Sequence, residues 1–338
     1  VKFGPVPLVE AEGGILAHSV RHEALVLKKG VMLTARHVAA LRAAGVETLV
    51  VAQLEFGDVT EDEAAAKVAT AISGDNIRVE DAFTGRANLY ATCNGVLVAE
   101  ASLVDAINAV DEQITLATLP PWRSVVEGEM IGTVKVIPFA VPAGTVTRAI
   151  GAAAGARLRI ERYRPMRIAV ISTVLPGLKA STIEKTLRVM RERIAPAGAS
   201  LVADLRCPHE TQALRAAIDE IRTGCDLIVV FGASAITDRR DVIPAALTLA
   251  GGHIEQFGMP VDPGNLLLIG DLGGKPFLGA PGCARSPKEN GFDWVLQRML
   301  AEVPVSRHEI RRMGAGGLLM EIVSRPQPRT GGAPHDDD

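Results

Sequence analysis

The feature that most constrains the fold is a rhythm in the second half of the chain. Arg167-Ile-Ala-Val-Ile-Ser-Thr173 is a continuous apolar run of strand length, the pattern of a parallel strand buried on both faces. A loop with Pro176 and Gly177 follows. Ser181-x-x-Glu184 then has the form of a capping box opening a helix that ends near Gly198. Ser200 to Leu205 reads as a second strand, and Pro208 to Thr223 as a helix with proline in its first turn and Gly224 as its stop. Asp226 to Phe231 is a third strand, and Lys275 to Gly279 a short apolar strand before a helix over Phe292 to Leu300. Such alternation predicts right-handed βαβ units in an α/β fold, a three-layer α/β/α arrangement around a mostly parallel sheet. Ligands of these sheets sit beyond the carboxyl ends of the strands. The loops after Thr173, Leu205, Phe231 and Ala280 are therefore the ones expected to carry chemistry.

The first half lacks that rhythm. Thr34 precedes a short helix over Ala35 to Ala44 that Gly45 stops, and Val46 to Ala52 is β-rich. Thr60-x-x-Glu63 opens an alanine-rich helix stopping at Gly74, Leu103 to Val110 forms another, and Thr133 to Phe139 has strand composition. Residues 1–150 are thus expected to form a smaller α+β region of one or two lobes. Residues 151–166 read as an Arg-rich connector. Arg157, Arg159, Arg162 and Arg164, with Arg167 just beyond, face only Glu161. That strip suits a solvated connector with a short central strand, and less well an anion-binding surface. The α/β domain is placed at 167–325, and residues 326–338, ending in three aspartates, as a disordered tail.

Composition narrows the partners. The 338 residues suggest about two domains. Lys plus Arg total 36 against 39 Asp plus Glu, a net charge of −3, which gives no global reason to bind nucleic acid or an anionic membrane. Aromatics at 4% argue against a stacking platform for bases. Cys93, Cys207, Cys225 and Cys283 are far apart, without the spacing of a zinc site or a disulfide framework. The opening residues lack the apolar core of a signal peptide, and no apolar run reaches the roughly 18 residues of a membrane span. A cytoplasmic location with reduced thiols is expected.

Two loops stand out. After the third strand, Gly232-Ala233-Ser234-Ala235-Ile236-Thr237-Asp238-Arg239-Arg240-Asp241 offers small residues for close backbone approach to a phosphate, two hydroxyls and two arginines. Asp238 and Asp241 are candidate Mg²⁺ ligands. The same residues also suit an ordinary strand-to-helix turn with capping aspartates, and composition alone does not choose. The second loop, Pro281-Gly282-Cys283-Ala284-Arg285-Ser286-Pro287-Lys288, suits an anion before a helix start, although Pro-Gly turns are common. No histidine beside Cys283 is evident from sequence to make it a nucleophile. No G-x-G-x-x-G follows the 167–173 strand, and no P-loop lysine motif is present.

In order along the chain, these features resemble the molybdopterin-binding domain shared by molybdopterin adenylyltransferases and molybdopterin molybdotransferases. The resemblance rests on the strand-helix-strand-helix start, on Asp226-Leu-Ile-Val-Val-Phe-Gly-Ala-Ser-Ala before Asp241-Val-Ile-Pro, on Gly258-Met-Pro-Val-Asp-Pro-Gly264, and on Lys275-Pro-Phe-Leu-Gly-Ala-Pro-Gly282. Leu25 to Gly30, Leu33-Thr-Ala-Arg and Gly45-Val46 resemble the connector preceding that domain in the molybdotransferases. Arg311 to Glu321, with Gly314, Gly316 and Gly317, is similar to a truncated start of their small C-terminal β-domain.

The resemblance implies molybdopterin or a nucleotide form of it as ligand, with Mg²⁺ as an optional companion. It implies Asp241 as catalytic and metal-binding residue. The cofactor would meet Thr173, Gly232, Ser234, Thr237, Asp238, Pro263, Gly264, Pro281, Gly282, Arg285 and Ser286. A molybdotransferase-like activity on ATP or molybdate substrates is one implication. The alternative is a non-catalytic carrier delivering cofactor to a nucleotidyltransferase or molybdoenzyme. Homo-oligomers are expected in either case. The departures are specific: Ser172-Thr173-Val174-Leu175-Pro176-Gly177 lacks the acids of the family's T-G-D-E-L loop, and His209 stands where the adenylyltransferases place an aspartate. That pattern suits binding better than catalysis. An unrelated sugar- or nucleotide-processing enzyme on a similar sheet is the third reading, because fold does not fix function.

Overall fold

A computed structural model of the chain describes residues 1–22, 25–262 and 264–319. The chain divides into two compact units, Val1–Arg162 and a second beginning at Tyr163. Helix and strand are mixed in both, an α/β class overall. The expected tail, 326–338, lies outside the described residues, as does Pro263.

The first unit contains two separate hydrophobic clusters. One gathers Leu8, Leu16, Leu33, Leu41 and Val51 under a three-stranded sheet whose middle strand, Thr48–Gln53, pairs with Lys2–Pro7 and Ile15–Leu16. Its helix, Ala35–Ala43, starts at a reciprocal cap. The Thr34 hydroxyl accepts from the His37 amide, and His37 Nδ1 accepts from the Thr34 amide. Gly45, at φ +75°, takes the left-handed turn that ends it.

The second cluster forms where helix Glu61–Ile72 lies on an antiparallel sheet. Ala64, Ala65, Val68, Ala69 and Ile72 are fully buried at helical spacing, and the small alanines let backbone approach backbone. Residues 151–166 fold more than they connect. Arg159–Arg162 is a strand antiparallel to Gly95–Val98, with Leu158 and Ile160 buried in the core while Arg159 pairs with Glu161 outside. The period-two alternation of that stretch is what drives the pairing.

The second unit holds β1 (Arg167–Val174), α1 (Ala180–Ile194), β2 (Ser200–Pro208), α2 (Thr211–Ile221), β3 (Leu227–Phe231), α3 (Val242–Leu249), β4 (His253–Met259), β5 (Asn265–Asp271), β6 (Pro276–Ala280), α4 (Gly291–Leu300) and α5 (Arg307–Arg312). One six-stranded sheet has the order β2-β1-β3-β6-β5-β4. Its first four strands are parallel, and β5 and β4 extend it in antiparallel pairings. Ala169, Ile171, Ile228, Val230 and Phe277 pack against Leu214 and Ile218 of α2 and Ile243 and Leu247 of α3. Phe231 meets Phe292 of α4 with ring centroids 6.3 Å apart.

Three sequence expectations are corrected here. Helix α1 begins at Ala180 with Lys179 as its cap residue, so Ser181 already lies inside and caps nothing. β2 continues to Pro208, held by register with Val174, and α2 starts only at Thr211. Proline is tolerated there because β2 is an edge strand, where its missing N–H leaves no ladder bond unmade. Arg311 and Arg312 close α5, which Ser306 and Glu309 cap reciprocally, instead of opening a β-domain.

Candidate functional site

Because β1, β3 and β6 are parallel and adjacent, the segments leaving Val174, Phe231 and Ala280 emerge at one edge of the sheet. The β4–β5 turn reaches the same edge, where Asn265 Nδ2 lies 3.6 Å from Cys283 Sγ. Gly264 takes that turn at φ +91°.

Thr173 is the innermost of these groups and is fully buried. Its hydroxyl accepts the Ala233 amide at 2.8 Å and lies 2.8 Å from His209 Nδ1. With one lone pair taken by Ala233, the hydroxyl proton finds its acceptor in Nδ1. The neutral ring then carries its own proton on Nε2. One side chain thus fixes the exits of β1 and β3 and orients the imidazole at the end of β2.

The loop after β3 is shaped by two glycines. A Cβ on Gly232 would stand 2.5 Å from the Ser234 carbonyl oxygen, so the tight exit requires glycine. A Cβ on Gly279 would stand 2.8 Å from Ile236 Cδ1, so Gly279 leaves the space in which buried Ile236 anchors the loop. Ser234, Thr237 and Asp238 are exposed around that anchor. Asp241 folds back on the loop: Oδ2 accepts from the Thr237 amide at 2.7 Å, the Thr237 hydroxyl at 3.0 Å and the Asp238 amide at 3.3 Å. The Thr237 amide first of all, then these other donors, hold the Asp241 carboxyl below the usual carboxylate range. Asp238 is engaged by Arg240, with Oδ1 2.7 Å from Nε.

In the third loop, Pro281 is buried, Gly282 exposed, and Cys283, Arg285 and Ser286 half-buried. Arg285 turns inward. It donates to Thr186 Oγ1 and to the Gly232 carbonyl, both at 2.9 Å, and its guanidinium lies 5.4 Å over the Phe231 ring. Burial pushes its pKa down. Arg285 therefore braces the site from behind, joining α1 to the exit of β3. Cys283 Sγ has amide neighbours, Asn265 at 3.6 Å and Asn290 Oδ1 at 3.5 Å, and not a base.

Two supports of this loop escaped the sequence reading. Arg193, on α1, donates to Asp293 Oδ1 at 2.5 Å, to the Ala284 carbonyl at 2.6 Å and to the Ser286 carbonyl at 2.5 Å. Burial raises the Asp293 carboxyl against the opposing pull of Arg193. Asn290 is fully buried; its side chain caps α4 at Phe292 and donates to the Cys283 and Lys288 carbonyls. Asn290-x-x-Asp293 had the form of a capping box and was detectable; nothing in the sequence marked Arg193.

The structure thus links Thr173, Gly232 and Arg285 directly, joins Thr237, Asp238 and Asp241 to one another, and brings Gly264 beside the loop of Pro281, Gly282 and Ser286. The donors this edge presents are loop amides, the Ser234 and Thr237 hydroxyls and the His209 ring, a set suited to a small oxyanion. It does not assemble a protein-held Mg²⁺ site. Asp241 Oδ2 is taken by three donors, and among the described residues no group of three His, Cys, Asp or Glu could hold a metal ion. A cleft of about 800 Å³, lined by Met166, Asp226, His253, Asp271 and Pro276, lies at the opposite edge of the sheet, away from these loops.

Residues 5–53 match a family described as a "Domain of unknown function (DUF8806)", and they coincide with the first hydrophobic cluster of the first unit. No curated protein matches the chain. Among solved structures, the chain is similar to a molybdopterin biosynthesis MoeA protein from Pyrococcus horikoshii, at 15% identity over 89% of this chain and 75% of that one, with a TM-score of 0.32. It is also similar to the molybdopterin biosynthesis enzyme MoaB from Thermus thermophilus, at 19% identity over 41% of this chain and 96% of that one, with a TM-score of 0.31. Likenesses this distant do not by themselves establish a shared fold or function.

Proposed function

We propose that the second unit binds molybdopterin, or a nucleotide form of it, and serves molybdenum cofactor biosynthesis by holding or delivering that ligand. In this reading the unit is a three-layer α/β/α domain, and the ligand's phosphate lies at the edge formed by Thr173, Ser234, Thr237 and the 281–286 loop. The observation that carries the reading is the Thr173 bridge. A buried hydroxyl sets the Ala233 amide and the His209 ring together where the sequence motifs converge. His209 supplies a neutral donor in place of the family's carboxylate, so an anion is met by hydrogen bonds without a bridging cation.

Holding is favoured over transfer by the state of Asp241, whose Oδ2 already serves three loop donors. Transfer to ATP or molybdate is the second reading, kept because Asp241 is an ionised carboxylate at the right loop. A cytoplasmic location, a homo-oligomer and a nucleotidyltransferase or molybdoenzyme partner accompany both. Among the described residues no helix is long and apolar enough to cross a membrane.

The test is to purify the protein without oxygen, denature it and analyse the released pterin by fluorescence. The expected result is pterin recovered with the wild-type chain and largely lost with Thr173→Val. Absence of pterin from wild type, together with no uptake of added molybdopterin, would refute the proposal. Incubating the loaded protein with ATP, Mg²⁺ and molybdate separates the two readings, since a carrier forms no AMP.

A further inference from the structure

The two edges of the six-stranded sheet are finished differently. At β4 the register shifts twice, between Ile254 and Gln256 and between Phe257 and Met259. Gln256 Nε2 donates to the Phe257 and Gly258 carbonyls, and the Arg307 guanidinium of α5 donates twice to the Glu255 carbonyl, at 3.0 and 2.8 Å. Bulges and side-chain caps of this kind prevent a further strand from adding.

β2 carries no such cap. It pairs with β1 alone, and its register is regular from Ala203 to Pro208. The His209 amide donates to the Val174 carbonyl, so by alternation the odd-numbered amides of this stretch face β1. The amides and carbonyls of Asp204 and Arg206 therefore face outward, and both residues are exposed. Among the described residues no strand pairs with this edge. Leu201, Ala203 and Leu205 stand only half-buried along it, beside the α2 side of the sheet.

An edge protected against association usually carries charges of one sign. This one carries Asp204 and Arg206 two positions apart, a self-complementary pair. With a two-fold axis through Leu205, an antiparallel second copy sets Asp204 opposite Arg206 twice. Both are outward-facing residues, so each pairing closes two backbone hydrogen bonds and brings opposite charges together. Leu205 meets its own copy, Ala203 meets Cys207, and Val202 meets Pro208, whose missing N–H ends the ladder. Centring the axis on Asp204 or Arg206 instead would oppose like charges.

We infer that β2 is the surface by which two copies of this chain pair, antiparallel about Leu205, to continue one sheet across both. The Arg206 fork, which already holds Glu184 at 2.5 Å, keeps its side chain extended along that face.

Light scattering after gel filtration tests this. The wild-type chain should run as a dimer, and Arg206→Glu, which sets an acid against the facing Asp204 on both sides of the axis, should weaken the dimer by roughly tenfold or more. Asp204→Arg combined with Arg206→Asp should restore it. Mild oxidation of Leu205→Cys should yield a disulfide-linked dimer, because residues facing across the axis stand about 4.5 Å apart at Cα. Val202→Cys should not, since it faces Pro208. A wild-type monomer or trimer at high micromolar concentration would overturn the inference. So would a dimer that Arg206→Glu leaves intact while the variant keeps its circular dichroism, or failure of Leu205→Cys to crosslink.

Discussion

Thr173 Oγ1 lies 2.8 Å from His209 Nδ1 while accepting the Ala233 amide, so one buried hydroxyl ties together the exits of three parallel strands. Thr173→Val keeps the shape but strands the Ala233 amide and frees the imidazole. The expected cost is about 1–3 kcal/mol in urea unfolding, with ligand binding reduced more than stability. Thr173→Ser, which keeps the hydroxyl, should retain most of both.

Asp241 gives a pH signature of definite sign. Its carboxyl is held below its ordinary value by the Thr237 amide above all, so the folded state favours the ionised form. The stabilisation is complete above the unfolded-state pKa and is lost as pH falls through the lower folded-state value. The gap in melting temperature between wild type and Asp241→Asn should therefore stay constant above about pH 4 and shrink below it. A gap that opens on acidification would contradict the assigned hydrogen bonds.

Arg193 and Asp293 form a buried ion pair with side chains 8% and 10% exposed. Removing one partner leaves the other charge buried, at a cost of roughly 3–5 kcal/mol. Arg193→Ala should show that loss in denaturant titration and make the 281–290 loop susceptible to proteolysis. Arg193→Lys should rescue little, because a single ammonium does not reproduce the planar fork to Asp293, Ala284 and Ser286.

Gly279→Ala places a methyl against Ile236 Cδ1. The substitution should lower stability by roughly 1–3 kcal/mol and loosen the 232–241 loop. Pairing it with Ile236→Val, which removes the opposing methyl, should recover part of the loss, readable in thermal melts.

The legible parts of this molecule are those set by local pattern. The apolar runs at Arg167, Asp226 and Lys275 mark strands because parallel strands are buried on both faces, and Gly45 marks a helix end because it takes a positive φ. The antiparallel extension by β4 and β5 was not legible, because nothing in their sequence says where in the sheet they pair. Within the site, Gly232 and Asp241 stood out as turn chemistry. Arg285 looked like an outward anion ligand from its neighbours in sequence. Its inward brace depends on Thr186, a partner 99 positions away. Arg193 was invisible for the same reason, since its acceptors lie 91 to 100 positions along the chain.

The most direct test of the account is an anoxic calorimetric titration of the wild-type chain and Thr173→Val with molybdopterin. The account predicts saturable binding by wild type in the micromolar range or tighter, with Thr173→Val weakened at least about tenfold, a difference of about 1.4 kcal/mol. No heat from wild type, or equal affinity for the two proteins, would contradict it.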